Sequence, residues 1–311
     1  MNNLEVVLSN KASKEVIMEN WLDSVDIKKN SKLAYKCGIT NFLKWLNKND
    51  VSVVDKKIIL KYKNYLSDNY SSLTSNLYLM SIKSLYSYLE ENNISTNVAK
   101  KIKNFKVSKE SRKSCFSIEQ IKSILNSLEK TDDLSIRNYV LVSLLIRTGL
   151  RACEVSNANI EDLKVKNGMN VLYIKGKGHD SKDEFVVITK EMSDLLNKYL
   201  NTRKKYNSKS PLFASLSDKS IGGRLSPATI SWIFKQILRA VGIDSHSLTL
   251  HSTRHTAITL SILAGADVLE VKNFARHKDI NTTLKYIHSI DRIDKAPEKK
   301  IEDLLTGNIK V

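Results

Sequence analysis

Four short segments of this 311-residue chain combine reactive side chains in a way that packing alone does not explain. The first is Thr148-Gly-Leu-Arg-Ala-Cys-Glu154, where a glycine ends an apolar run and Arg151 and Glu154 follow, three residues apart. That spacing places both side chains on one face of a helix. An arginine at a helix N-terminus opposes the helix dipole, so it needs an anionic partner. The partner is either Glu154, in a local ion pair, or a bound anion.

The second segment is Ile174-Lys-Gly-Lys-Gly178, at the end of a predicted strand. Lys177 lies between two glycines on a bendable turn, where little can pack against it. The segment is either an ordinary hairpin tip or a lysine presented to a ligand.

The third segment is His251-Ser-Thr-Arg-His255. Its spacing brings an imidazole beside the Arg254 guanidinium on one helical face, where the guanidinium suits phosphate and the imidazole can move protons. It is not a zinc motif, because arginine stands where H-E-x-x-H needs an acid. A purely structural role for these residues is the alternative.

The fourth segment runs from Ala275 to His288 as ARHKDINTTLKYIH. His277 follows a predicted helix end, Asn281 is a candidate cap for the next helix, and that helix carries Tyr286. A tyrosine buried in the core is the alternative interpretation of Tyr286.

Taken in chain order, the four segments resemble the tyrosine recombinase (phage integrase) family, in its simple two-domain, Xer-like form. R-x-x-E, G-K-G after a strand, H-x-x-R-H and a histidine nine residues before a tyrosine recur in family order from about Phe116 to Ile287. One departure is visible, because the family usually has L-G-H where this chain has Ala275-Arg276-His277. Arg276 is expected to add a phosphate contact or to shift the turn.

The resemblance implies a site-specific recombinase that cuts and rejoins DNA through a 3′-phosphotyrosyl intermediate and a Holliday junction, without metal, ATP or other cofactor. Tyr286 is then the nucleophile, Lys177 protonates the departing 5′-oxygen, and His251 is the acid/base partner of the tyrosine hydroxyl.

Positive donors must surround the non-bridging oxygens of the phosphate as charge develops there. By the same resemblance, Arg151 and Arg254 are the two guanidinium donors and His277 donates a further hydrogen bond. Glu154 supports the site by orienting His251 or Arg151.

The composition agrees with a polyanionic partner. Fifty Lys and Arg against 33 Asp and Glu give a net charge of +17, which indicates nucleic-acid binding or, alternatively, a lysine-biased proteome. The polar N-terminus is no signal peptide, and no apolar run approaches the ~20 residues that span a bilayer. Three widely spaced cysteines, Cys37, Cys115 and Cys153, suggest no metal site and fit a reducing bacterial cytoplasm.

Apolar spacing predicts a mainly α fold with a small antiparallel β-sheet in the catalytic domain. Helices are predicted at 16–25, 32–47, 56–68, 75–92, 117–129, 137–148, 190–206, 227–241, 252–263, 267–275 and 282–287, and strands at 171–175 and 184–189. Asp55 is a predicted cap for the third helix, and Ser72 or Thr74 for the fourth. Ser117 and Gln120 match a capping box only loosely. The predicted domains are 1–107 (core-binding), 108–114 (basic linker) and 115–311 (catalytic).

The resemblance also implies a C-shaped clamp of the two domains around double-stranded DNA that carries an inverted-repeat core site. Four copies would assemble on DNA, with an amphipathic piece at Ile301–Leu305 docking on a neighbour unless it frays. An accessory protein is compatible with this arrangement, and a membrane is not a partner. The candidate DNA contacts are Lys83, Lys101, Lys103, Lys106, Lys235, Arg239 and Arg276.

Two other functions remain open from the sequence. A type IB topoisomerase uses a similar site without exchanging partners, although those enzymes usually have lysine in place of the first histidine of H-x-x-R. A DNA-binding protein that has lost its activity is the third hypothesis, and the complete set of reactive positions argues against it.

Overall fold

The computed structural model describes residues 11–106, 114–128, 130–176, 181–245, 247–294 and 297–306. The chain divides into two compact units, Met1–Glu110 and Ser111–Val311. Both are built mainly from helices, and the second holds a three-stranded antiparallel sheet, so the predicted fold class is confirmed. Within the described residues, no helix is long and apolar enough to cross a membrane.

Over residues 11–106, the first unit has four helices around one apolar core. They are α1 (Lys11–Ser24), α2 (Lys29–Lys48), α3 (Lys56–Asn69) and α4 (Ser72–Glu91). Trp21, Ile39, Ile59 and Leu79 have no exposed surface. Burying side chains of this size contributes roughly 1.5–3 kcal/mol each, which holds the unit together.

Two helix starts in this unit test the predicted caps. The Asp55 carboxylate accepts the Ile58 N–H at 2.8 Å, which confirms Asp55 as the cap of α3. The prediction of Ser72 or Thr74 for α4 was wrong by one position, since the hydroxyl of Ser71 accepts the Thr74 N–H at 3.3 Å. Serine favours such caps because its oxygen replaces a missing intrahelical acceptor.

The basic stretch that follows α4 is packed against the helices as far as residue 106. The Asn76 side chain accepts the Phe105 N–H at 2.7 Å and donates to the Phe105 carbonyl at 3.0 Å. Lys63 donates to the Lys103 carbonyl at 2.6 Å, and Ile102 is buried. Of the predicted linker 108–114, only Ser114 lies within the described residues.

The second unit contains the remaining helices. They are α5 (Ile118–Asn126), α6 (Asp133–Thr148), α7 (Ala152–Asn157), α8 (Lys190–Asn201), α9 (Pro227–Ala240), α10 (Leu250–Leu263), α11 (Val268–Ala275), α12 (Ile280–Asp294) and α13 (Pro297–Leu305). Their core centres on α6, where Leu141, Leu144 and Leu145 are fully buried. Gly149, the glycine predicted to end this apolar run, ends α6 in left-handed conformation with φ of +59°.

The sheet is β1 (Leu163–Lys166), β2 (Met169–Ile174) and β3 (Glu184–Val187), in that order and antiparallel throughout. The predicted strands correspond to β2 and β3, whereas β1 was not predicted. Lys166 pairs with Met169, and the two residues between them have positive φ, +51° at Asn167 and +76° at Gly168. An Asn-Gly pair suits this tight turn because both positions tolerate left-handed backbone.

Several helix boundaries differ from the prediction, including the start of α6 at Asp133 rather than 137 and the end of α5 at Asn126 rather than 129. The helix predicted to reach residue 206 ends at Asn201. The helix predicted at 282–287 runs from Ile280 to Asp294. The Asp279 carboxylate lies just before its first turn and accepts the Asn281 N–H at 2.9 Å. Asn281 is therefore not the cap. The Ser117–Gln120 capping box, predicted only as a loose match, is fully formed.

Candidate active site

Arg151 is placed by the turn between α6 and α7. The left-handed Gly149 redirects the chain, and Arg151 becomes the residue that precedes α7. The fully buried Glu154 accepts the Arg151 N–H at 2.8 Å with one oxygen and the Arg151 guanidinium at 2.5 Å with the other. Of the two partners expected for Glu154, the structure brings it to Arg151. The buried carboxylate fixes the direction in which that guanidinium points.

Arg254 lies on α10, and the residue is 3% exposed. It donates to the Gly149 carbonyl at 2.8 Å and to the Ala275 carbonyl, so it ties the end of α6 to the end of α11. Burial, together with the nearby Arg151 and Arg276, lowers the pKa of Arg254 to about 10. Arg254 is still protonated at neutral pH. Its positive charge and that of Arg151 are close enough to interact.

His277 follows α11 and is held by the start of α12. Its Nδ1 forms a hydrogen bond with the Thr283 hydroxyl at 2.9 Å. Burial and the neighbouring arginines, Arg254 first, lower the pKa of His277 to about 4. The ring is therefore neutral at pH 7, and it can donate or accept a hydrogen bond without adding charge.

Tyr286 lies on α12, and its ring stacks near that of His277, with centroids 6.1 Å apart and planes at 21°. Burial raises the pKa of Tyr286 to about 12, although Arg254 and Arg151 pull in the opposite direction. The tyrosine is thus a neutral phenol at neutral pH. It needs a base before its oxygen can act as a nucleophile.

The residue in contact with the hydroxyl is one to which sequence analysis gave no role. The hydrogen bond from the Tyr286 hydroxyl goes to Nδ1 of His255. In the tautomer of His255 that carries its proton on Nε2, Nδ1 accepts the hydrogen bond from the hydroxyl. The exposed His251, expected to be the acid/base partner, instead packs its ring against His255, with centroids 4.9 Å apart. The sequence feature that could have indicated a role for His255 is its four-residue spacing from His251, which brings both rings to one face of α10.

Arg276 occupies the end of α11 in left-handed conformation, with φ of +53°. Its guanidinium donates to Glu154 at 3.1 Å, and its Nε lies 3.8 Å from the Glu184 carboxylate on β3. Only 5% of the side chain is exposed. Sequence analysis expected Arg276 to add a phosphate contact or to shift the turn. The structure directs its guanidinium to two carboxylates of the protein.

Lys177 lies outside the described residues, which include the two strands that its segment connects. Ile174, at the end of β2, pairs with Glu184, at the start of β3. Gly176 lies against Glu184, since a Cβ on Gly176 would come within 2.7 Å of the Glu184 carboxylate. A side chain at residue 176 would have to displace this carboxylate, which is the flexible end of the Glu184 side chain.

The candidate DNA contacts differ in how far they are already engaged. In the first unit, Lys83 donates to the Asn104 side chain at 2.8 Å, and burial followed by the charge of Lys63 lowers its pKa. The other three candidates of that unit are exposed: Lys101, Lys103 and Lys106.

In the second unit, the candidates lie on the open face of α9. Lys235 and Arg239 are exposed there. Sequence analysis did not single out Trp232, which is 62% exposed one turn before Lys235. A solvent-facing indole beside two cations provides stacking and charge on one helix face.

The residues of this site suit binding of a phosphate group and nucleophilic attack on it. Two guanidinium groups, a neutral imidazole and a phenol hydrogen-bonded to a second imidazole converge, which suits nucleophilic attack on an anionic centre. Among the described residues, no group of three or more His, Cys, Asp or Glu side chains could hold a metal ion.

Comparisons with known proteins agree with this geometry. The sequence profile of the Phage integrase family matches residues 115–292. The chain is 28% identical to a tyrosine recombinase XerD from Oceanobacillus iheyensis over 271 residues, which covers 83% of this chain and 87% of that protein.

Two further similarities add detail. The chain is 28% identical over 174 residues to a tyrosine recombinase XerC from Lactobacillus delbrueckii subsp. bulgaricus, and it spans 57% of that relative's length. The fold is similar to that of the XerH site-specific recombinase in a post-cleavage complex with palindromic difH substrate. That likeness has a TM-score of 0.71 and 21% identity, and covers 88% of this chain and 80% of XerH.

Proposed function

The chain belongs to the phage integrase family, and we propose that it is a site-specific tyrosine recombinase that cuts and rejoins double-stranded DNA without metal or ATP. One observation carries the proposal. The Tyr286 hydroxyl is hydrogen-bonded to His255 in a site that also holds two arginines with fixed orientations. A buried core tyrosine would not need this set of cations around it.

The first step is attack of the Tyr286 oxygen on the scissile phosphorus. The phenol proton passes to His255, a new bond forms between the tyrosine oxygen and phosphorus, and the bond from phosphorus to the 5′-oxygen breaks. Lys177 gives a proton to the departing 5′-oxygen, leaving a 5′-hydroxyl and a 3′-phosphotyrosyl link. The link keeps the bond energy of the phosphodiester, so rejoining needs no ATP.

Charge on the non-bridging oxygens is met by three groups. Arg151 and Arg254 supply positive charge whose direction is set by Glu154 and by backbone carbonyls, respectively. His277, neutral because burial lowers its pKa to about 4, supplies a hydrogen bond without a further charge. Donors that need no reorganisation during the reaction stabilise the transition state most.

In the second step, the 5′-hydroxyl of a partner strand attacks the phosphotyrosyl phosphorus and releases Tyr286. Exchange of one strand pair gives a Holliday junction, and exchange of the second resolves it. The proposed partner is duplex DNA with an inverted-repeat core site. XerH, a similar fold, was determined with palindromic difH substrate.

Both units of the chain are suited to a polyanion. Residues 1–110 hold 18 Lys and Arg against 11 Asp and Glu, and residues 111–311 hold 32 against 22. We propose that the two units grip the duplex together, with Lys101, Lys103 and Lys106 contacting the backbone. On α9, Lys235 and Arg239 would contact the major groove. Such a protein works where the DNA is, in the bacterial cytoplasm at the nucleoid.

Self-association on DNA is the last part of the proposal. The terminal helix α13 presents Ile301 and Leu305, which are 55% and 79% exposed and four residues apart. Two apolar side chains on one edge of an exposed helix support docking on another copy, up to the expected tetramer. An accessory protein is compatible with this assembly.

The deciding experiment traps the covalent intermediate on a nicked suicide substrate. Wild-type protein should form a DNA adduct that survives denaturation. Tyr286→Phe should form none while binding DNA within a few-fold of wild type, because only the hydroxyl oxygen is removed. The matched control, Tyr173→Phe, removes a hydroxyl from β2 and should leave the adduct unchanged. An adduct that persists in Tyr286→Phe would refute the assignment.

A second assay separates recombination from topoisomerase chemistry. Two labelled DNA molecules that carry the same core site are mixed with the protein, and exchange of their ends is measured. A recombinase joins strands of different molecules, whereas a type IB topoisomerase relaxes supercoils without exchange. Relaxation alone would replace the present proposal with the second function.

A further inference from the structure

Arg276 replaces a small residue at a position where the backbone itself favours glycine. Its φ of +53° lies in the left-handed region, which costs an L-residue roughly 1–2 kcal/mol relative to glycine. Several contacts therefore have to offset this cost. The Arg276 guanidinium donates to Glu154 at 3.1 Å and to the Phe274 carbonyl at 3.0 Å, and its Nε lies 3.8 Å from Glu184.

The contact with Glu154 leads directly to the reaction centre. Glu154 is fully buried, and its carboxylate is shared: Oε1 accepts the Arg151 guanidinium, whereas Oε2 accepts Arg276. A buried carboxylate with one oxygen on each of two guanidinium groups has little freedom to rotate. Without Arg276 both carboxylate oxygens are bonded only to Arg151 among these contacts, so Glu154 loses a partner from a distant part of the chain and holds the Arg151 guanidinium less firmly.

The other contact fixes Arg276 itself. Glu184 begins β3 and pairs with the end of β2, so its backbone is held by the sheet. The ion pair to Glu184 restrains the guanidinium at Nε, a different nitrogen from the Nη2 that contacts Glu154. Because the Arg276 side chain is 5% exposed, water screens these pairs weakly. The guanidinium thus has two protein carboxylates as partners and little surface left for DNA.

We propose that Arg276 is a positioning residue, which holds Arg151 in its phosphate-binding orientation through the shared carboxylate of Glu154. The inference rests on the proposed function, because it assigns Arg151 to the non-bridging oxygens of the scissile phosphate. Arg276 touches neither the phosphate nor the nucleophile in this assignment. Its effect appears wherever the reaction depends on charge at those oxygens.

The test uses two substrates that differ only at one non-bridging oxygen. One is the ordinary phosphodiester, and the other carries a methyl group in place of that oxygen, a methylphosphonate, which has no negative charge there. Single-turnover cleavage is measured for wild type, Arg276→Gly and Arg276→Lys. Glycine removes both ion pairs and also the backbone strain, so the variant is expected to fold. Lysine keeps one positive charge near Glu154.

On the phosphodiester, Arg276→Gly should cleave about 10–100-fold more slowly than wild type, since a displacement near 1 Å at a reacting group can cost about 10²-fold. On the methylphosphonate most of that loss should disappear, because there is less charge for Arg151 to stabilise. Arg276→Lys should recover part of the phosphodiester rate. Glu184→Gln, which keeps the Glu154 contact, should lose less than Arg276→Gly.

Three results would overturn the inference. Wild-type rates for Arg276→Gly on the phosphodiester would show that Arg151 needs no help from Arg276. An equal loss on both substrates would indicate general damage to the fold, which the melting temperatures of Arg276→Gly and Glu184→Gln would register. A larger loss of cleavage rate in Glu184→Gln than in Arg276→Gly would show that Glu184 on β3, and not Arg276, is responsible for the effect. A wild-type protein that cleaves neither substrate would instead refute the proposed function.

Discussion

The hydrogen bond from the Tyr286 hydroxyl to His255 makes a quantitative prediction about how the nucleophile is activated. The pKa of Tyr286 is raised to about 12 by burial. At pH 7 the ionised fraction of such a phenol is about one in 10⁵, because each unit between pH and pKa is a factor of ten. A base in contact with the hydroxyl removes this penalty by taking the proton as the oxygen attacks.

Two substitutions of His255 separate basicity from positioning. His255→Ala removes the ring, whereas His255→Asn keeps a hydrogen-bond acceptor near the position of Nδ1 but has no basic nitrogen. Both variants should slow single-turnover cleavage by about 10²–10⁴-fold, the usual effect of a general base. Their rates should also rise about tenfold per pH unit from pH 6 to 9, as phenolate accumulates, while the wild-type rate stays nearly flat.

The assay is covalent-adduct formation on the suicide substrate, followed over seconds to hours at each pH, with DNA binding measured alongside. A His255→Ala enzyme with the wild-type rate and a flat pH profile would refute the role of His255. If His255→Asn alone recovers the rate, His255 positions the hydroxyl rather than accepting its proton. If His251→Ala shows the rising profile instead, the base is the residue that sequence analysis predicted.

Three further outcomes follow from structure and charge. DNA affinity should fall with salt with a slope of about −0.9 per neutralised phosphate, and a slope near zero would contradict the two-unit grip. The folded pKa of His277, about 4, lies below its ordinary value of 6.5, so at pH 5 the unfolded state binds more protons. Stability present above pH 6.5 should therefore decline as pH falls through 6.5 toward 4, and His277→Gln should flatten that decline in urea unfolding. Gly149→Ala, at φ of +59°, should destabilise the protein by roughly 1–2 kcal/mol, which an unchanged melting temperature would disprove.

The sequence predicted those parts of the site that depend on local spacing. Arg151 and Glu154 lie three residues apart, and their side chains meet as the helical repeat requires. The role of His255 was not predictable in the same way. His251 and His255 share a face of α10, and only the packing of α12 against that helix decides which ring reaches Tyr286.

Arg276 illustrates a second limit. Its place in the L-G-H segment was visible from the sequence, but its partners, Glu154 and Glu184, are 122 and 92 residues away along the chain. Long-range ion pairs leave no periodic trace, so the sequence predicted only that the extra arginine would add a phosphate contact or shift the turn. The missed strand β1 is different, because the Asn167-Gly168 pair between two short strands was a local signal that could have predicted the hairpin.

The attachment of residues 103–105 to α3 and α4 has a consequence for proteolysis. The stretch from Lys100 to Lys106 contains four lysines after which trypsin can cut. A protease, however, binds an extended segment of backbone before it cleaves. Here the Phe105 amide and carbonyl are both bonded to Asn76, the Lys103 carbonyl to Lys63, and Ile102 is buried. Cleavage after Lys101 or Lys103 in the native protein would therefore report local opening of the first unit, and its rate would measure how often that opening occurs.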